Sequence, residues 1–106
     1  MSAHNLNLNV YKAELTVRAG DLKKILGTVL ESGRRERSLR LLRQIEYALL
    51  RLARGRYGEC VKCERHVERK LLDMTPWAIF CGNCQRIVDR LQADAQARRN
   101  AFESPA

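Results

Sequence analysis

Between residues 10 and 31, Tyr11, Leu15, Leu22, Leu26 and Val29 recur at steps of three, four or seven, which lays them on one face of a helix. Ile25 and Leu30 widen that stripe. Gly20 and Gly27 weaken it, each at about 1 kcal/mol relative to alanine. Asp21 would serve as an N-cap if the helix broke at Gly20 and restarted. Leu6, Leu8 and Val10 alternate as a short strand would, but the Asn-rich stretch 1–9 reads as a loose arm leading into the helix. Ser32-Gly33 is the clearest turn, because a glycine just past a helical run accepts the left-handed conformation that ends helices.

Residues 34–54 carry the strongest pattern. Leu42, Ile45, Leu49 and Leu52 step by three, four and three, as a and d positions do. Leu39, Leu41 and Ala48 flank this seam, while Arg37, Arg40, Arg43, Arg51 and Arg54 lie mostly off it. Two helices of about 21 residues joined by a short turn make an antiparallel hairpin about 30 Å long. Its leucines are packing residues, not a ligand site. Gly55-Arg56-Tyr57-Gly58 ends the second helix. Residues 64–80 read as an irregular hairpin bent at Pro76, with Trp77 or Phe80 over the adjoining cysteines. Residues 85–100 read as a closing helix with Ile87, Val88 and Leu91 on its apolar side, and residues 102–106 should fray.

Four cysteines carry the chemistry. Cys60, Cys63, Cys81 and Cys84 stand as C-x2-C-x17-C-x2-C, and the chain has no others. Each pair places two sulfurs on one tight turn, and two such turns close a tetrahedron around a single zinc ion. One structural Zn2+ per chain is expected. Four thiolates leave no open coordination position, so the site is not catalytic. His4 and His66 are the only histidines. Neither has a triad partner, and His66 between the pairs reads as an exposed loop residue, not a ligand. No enzyme is expected.

The expected fold is therefore mostly α. An arm and antiparallel coiled-coil hairpin occupy residues 1–54. A small four-cysteine zinc-finger globule with a C-terminal helix occupies residues 55–106. A metal-binding segment of about 30 residues buries too little apolar surface alone, so the metal becomes part of its folding energy. The chain carries 20 Lys plus Arg against 12 Asp plus Glu, a net charge of +8. That balance favours acidic partners, nucleic acid or an acidic protein surface. Residues 1–9 lack the charged start and apolar core of a secretory signal. No apolar run approaches the roughly 20 residues that span a bilayer. A cytoplasmic monomer without membrane attachment is expected, which agrees with reduced, metal-bound cysteines.

From Ser38 to Arg90 the sequence becomes specific. Ile45-Glu46-Tyr47-Ala48-Leu49-Leu50-Arg51-Leu52 runs into Gly55-Arg56-Tyr57-Gly58-Glu59-Cys60. Pro76-Trp77-Ala78 precedes the third cysteine, and Gln85 follows the fourth. This half of the chain resembles the DksA/TraR-type C4 zinc-finger proteins of bacteria, whose own gap between cysteine pairs is x17. The resemblance implies a coiled-coil finger on a zinc globule that binds RNA polymerase directly. The finger enters the secondary channel and changes the stability of promoter complexes, in the best-known member together with ppGpp. That member's tip is acidic, in a D-x-x-D-x-A pattern.

The pattern is missing here. With the turn at Ser32-Gly33 the tip reads Leu30-Glu31-Ser32-Gly33-Arg34-Arg35, basic and on shorter helices. Ser32, Gly33, Arg34 and Arg35 become the candidate partner-binding residues. The leading function is a zinc-binding transcription regulator docking on bacterial RNA polymerase. The alternatives are nucleic-acid binding through the basic residues, or a structural adaptor of the same fold.

Overall fold

The computed structural model describes residues 6–103. His4, with the start of the arm, and residues 104–106 lie outside the described residues. Four helices follow in order: α1 (Leu8–Leu26), α2 (Ser32–Ala53), α3 (Arg69–Met74) and α4 (Gly82–Glu103). Among the described residues there is no strand, and Glu59 and His66 form an isolated antiparallel bridge.

α1 and α2 form the expected hairpin. α1 begins two residues earlier than its pattern predicts and runs unbroken through Gly20. Asp21 is therefore an interior residue. A side chain at Gly20 would meet nothing, so the glycine sits beside the packed face formed by Leu15 and Ala19. Tertiary packing of that face outweighs the glycine's low propensity.

The turn lies earlier than Ser32-Gly33. Gly27 closes α1 in the right-handed conformation, its amide returning to the carbonyls of Lys23 and Lys24. Residues 27–31 make the connection. Glu31 then caps α2, its carboxylate accepting the Arg34 amide at 3.1 Å. A cap at that position draws Ser32 and Gly33 into the first turn of α2.

Leu15 and Ile45 are wholly buried, and Tyr11, Ala19, Leu42 and Ala48 join them. The buried positions step by four on α1 and by three on α2, the row pairing of coiled-coil packing. The seam is turned slightly from its expected line. Ala48 is 1% exposed, whereas Leu49 and Leu52 only pack against the core from its margin.

Residues 64–80 contain α3 in place of the expected irregular hairpin. Leu72, Val67 and Pro76 are buried at the cysteine end, where Leu72 and Val67 continue the hairpin core to Cys60. Tyr57 seals it, donating its hydroxyl to the Pro76 carbonyl at 2.7 Å. Arg51 ties the end of α2 to the approach to Cys60, donating to the carbonyls of Arg56 at 3.0 Å and Glu59 at 2.6 Å.

α1 also reaches the cysteine end of the core. The rings of Tyr11 and Tyr57 lie 5.4 Å apart, and the Arg18 guanidinium sits 5.3 Å from the centre of the Trp77 ring. α4 starts at Gly82, three residues before its predicted start, and continues to Glu103. Its expected apolar side is largely uncovered: Ile87 is 46% and Leu91 61% exposed, and only Val88 is half-buried.

Candidate metal centre

Two short loops bring the cysteines together. In the first, the Cys60 amide donates to the Arg65 carbonyl at 2.7 Å, and the Glu64 amide returns to the Cys60 carbonyl at 3.0 Å. Glu64 adopts a left-handed φ of 65° to close this loop, and Gly58 enters it at φ 86°. The Lys62 amide points at the Cys60 sulfur, 3.4 Å away. The second pair sits at the start of α4, where the Gln85 amide donates to the Cys81 carbonyl at 2.8 Å. A backbone hydrogen bond from the Val61 amide to the Ile79 carbonyl at 2.9 Å helps join the loops.

The four sulfurs lie within 4.8 Å of one another, and Cys63 Sγ is 3.7 Å from Cys81 Sγ. A tetrahedron with Zn–S bonds near 2.3 Å has sulfur–sulfur edges of about 3.8 Å. A disulfide would need about 2.05 Å, and all four cysteines are free thiols. The spacing therefore fits a four-sulfur metal site. Cys60, Cys81 and Cys84 are buried and Cys63 is exposed.

The local field is uneven. Burial opposes the Cys60 thiolate, but the backbone amides of Cys63, Cys81 and Lys62 outweigh it and lower its pKa to about 6. At Cys84 burial, and then the neighbouring sulfurs, push the thiol up to about 12. Four thiolates in this space require a central cation to offset their repulsion.

Glu68 buttresses the second loop. Its carboxylate accepts the Gly82 amide at 2.9 Å. That hydrogen bond, first among the causes, holds its pKa below the usual carboxylate value. A side chain at Gly82 would begin 2.9 Å from the Glu68 Oε2. Nothing in the sequence spacing marked this pair, because 14 positions separate the two residues.

The other candidate residues are dispersed. His66 is exposed and lies outside the sulfur cluster. Ser32, Gly33, Arg34 and Arg35 cluster at the far end of the hairpin, where the Arg35 guanidinium donates to the Leu26 carbonyl at 2.7 Å.

A feature that the linear pattern did not reveal is a groove of about 570 Å³ between α2, residues 75–80 and α4. Tyr47, Trp77 and Phe80 line it together with Arg40 and Arg43. Among the described residues neither arginine has an ion pair. The aromatic residues come from segments about 30 positions apart, so no local sequence signal announces them.

No family model matches the chain. A curated, uncharacterized protein of Aquifex aeolicus (strain VF5) is 37% identical over 49 residues, which cover 46% of this chain and 34% of that protein. The chain thus spans about a third of the length of the curated relative it matches.

Among solved structures, it is similar to the DnaK suppressor protein from Agrobacterium tumefaciens C58. The TM-score is 0.67 at 22% identity, over 82% of this chain and 99% of the other. It is also similar to the RNA polymerase binding protein and transcriptional regulator Dks from Chlamydia trachomatis L2. There the TM-score is 0.55 at 24% identity, over 74% and 87% of the two chains. These likenesses establish a DksA-like fold: a helical hairpin, a four-cysteine cluster and a closing helix. No described helix is long and apolar enough to cross a membrane.

Proposed function

We propose that this chain is a zinc-binding transcription regulator of the DksA/TraR type, which docks on bacterial RNA polymerase near its secondary channel and modulates initiation. The observation that carries this reading is a helical hairpin joined to a four-sulfur cluster, in an arrangement that covers 99% of a DnaK suppressor structure. Cys60, Cys63, Cys81 and Cys84 would hold one Zn2+, whose role is to close the globule. The four donors leave it no open position for a reactant. Residues 1–54 serve as the docking finger and residues 55–106 as the metal globule. Ser32, Gly33, Arg34 and Arg35 belong to the docking end. The protein acts as a cytoplasmic monomer.

A second reading has its own observation. Among the described residues Arg40 and Arg43 have no ion pair, and they line a groove together with Tyr47, Trp77 and Phe80. Cations beside aromatic faces are what a single nucleic-acid strand uses. One experiment separates the two readings: capture of purified RNA polymerase core by the immobilised protein, with and without nuclease. Retention after nuclease is expected. Loss with nuclease moves the assignment to nucleic-acid binding.

A further inference from the structure

At the apex of the hairpin one apolar side chain is left uncovered. Leu30 is 95% exposed, more than any other large hydrophobic residue described. Its neighbours are all engaged. The Thr28 and Val29 amides donate to the Ile25 carbonyl at 3.0 and 2.9 Å, and the Thr28 hydroxyl reaches the same oxygen. Val29 is half-buried. Glu31 uses its carboxylate and its carbonyl to cap α2. Arg35 spans the turn to the Leu26 carbonyl. Leu30 thus stands on a hydrogen-bonded turn, so little further ordering is needed when it meets a partner.

Basic residues flank it along the chain on both sides. Lys23, Lys24, Arg34, Arg35 and Arg37 flank the apex, against only Glu31 and Glu36 between residues 23 and 37. Glu31 is already occupied as the cap. Lys23 approaches Glu46 only to 3.9 Å, with both side chains more than half exposed.

A single exposed leucine is ordinary on a protein surface. Near-complete exposure on a hydrogen-bonded turn, between two basic stretches of chain, discriminates between partners. A phosphate backbone would satisfy the cations and leave the leucine in water. An apolar recess rimmed by carboxylates would satisfy both.

We propose that Leu30 is an apex anchor: it enters an apolar recess ringed by Asp and Glu side chains on the protein that the hairpin docks against, while Arg34 and Lys24 meet the ring. This rests on the polymerase reading above.

The test is the affinity of the intact 106-residue chain for purified bacterial RNA polymerase core, measured at low and moderate salt with Leu30→Ser, Leu30→Met and Arg34→Ala. At so exposed a position Leu30→Ser should leave the melting curve unchanged. It should weaken binding about tenfold or more, as loss of a central anchor does. Leu30→Met should restore most of the affinity. Arg34→Ala should weaken binding chiefly at low salt, because its contact is screened. If the unaltered chain binds and Leu30→Ser binds equally well, the anchor is overturned and the polymerase reading stands. The same holds if only Arg34→Ala weakens binding, which would mark a contact made by charge alone. If the unaltered chain does not bind, both fall together.

Discussion

The phenol of Tyr11 donates to the Asp73 Oδ1 at 2.5 Å across 62 positions of sequence, joining α1 to α3. With the Tyr11–Tyr57 ring contact and Arg18 over Trp77, it makes α1 the strut between hairpin and cysteine globule. Tyr11→Phe keeps the ring and removes only the hydrogen bond. It should cost about 0.5–1.5 kcal/mol in thermal or denaturant unfolding. Burial, and then Asp73, raise the Tyr11 pKa, and burial does the same at Tyr57. Both folded-state values lie above those of the unfolded chain, so the folded state holds these protons longer. Their contribution is complete below about pH 10 and falls as pH rises beyond it. Tyr11→Phe should flatten the alkaline fall in stability. An unchanged profile would place the alkaline sensitivity elsewhere.

Ile45 is wholly buried between the helices. Ile45→Ala should destabilise the protein by about 2–5 kcal/mol. Arg40→Ala, at an exposed position on the same helix, should stay within about 0.5 kcal/mol of the parent. Leu49→Ala should fall between them, since Leu49 packs only at the margin of the core. Equal melting curves for Ile45→Ala and the parent would mean that the seam is wrongly placed.

The hairpin and the sulfur cluster were legible in the sequence because each rests on a local rule. Heptad-like spacing marks Leu42 and Ile45, and C-x2-C turns mark the cysteines. The turn was misplaced because Ser32-Gly33 has good turn chemistry, while Glu31 is an uncommon cap and wins through one hydrogen bond. α3 was missed because its six residues are too few for periodicity to register. Ile87 and Leu91 followed the helical period correctly, but period gives only a face, not whether anything covers it. The Glu68–Gly82 bond and the aromatic groove are products of tertiary folding that no window along the chain contains.

Glu68 offers a test at acid pH. Its carboxylate accepts the Gly82 amide, and its folded pKa lies below the ordinary value. Its contribution is present above the unfolded carboxylate pKa, near 4.3, and is lost as pH falls through the lower folded value. Glu68→Ala should cost about 0.5–2 kcal/mol at neutral pH, as loss of a helix cap does. The difference from the parent should vanish in acid. Gly82→Ala should share the defect, because the new Cβ would displace the Glu68 carboxylate. A Glu68→Ala penalty that persists unchanged at low pH would show that the carboxylate charge is not what caps α4.

Freshly purified, reduced protein should carry one zinc per chain by elemental analysis, bound by Cys60, Cys63, Cys81 and Cys84. Chelation, or Cys60→Ser, should unfold the globule around Leu72 and Val67, because the binding energy of such a site is largely its folding energy. The α1–α2 core should keep most of its helical signal. Protein that is metal-free yet fully folded would refute the structural role.

The acidic tip of the best-known DksA/TraR-type member is missing here: the turn lies between Lys24 and Arg34, with Arg35 bonded to the Leu26 carbonyl. A basic tip is repelled by a catalytic Mg2+ and drawn to carboxylates, the opposite sign of action. Promoter-complex lifetime should therefore respond to the unaltered chain through Arg34 and Arg35. Arg34→Ala should reduce the effect by removing charge alone. Adding Arg35→Ala should reduce it further, because that change also frees the turn. Polymerase binding measured in parallel separates lost docking from lost action. If the double variant alters promoter-complex lifetime as strongly as the parent, these arginines are not the active tip.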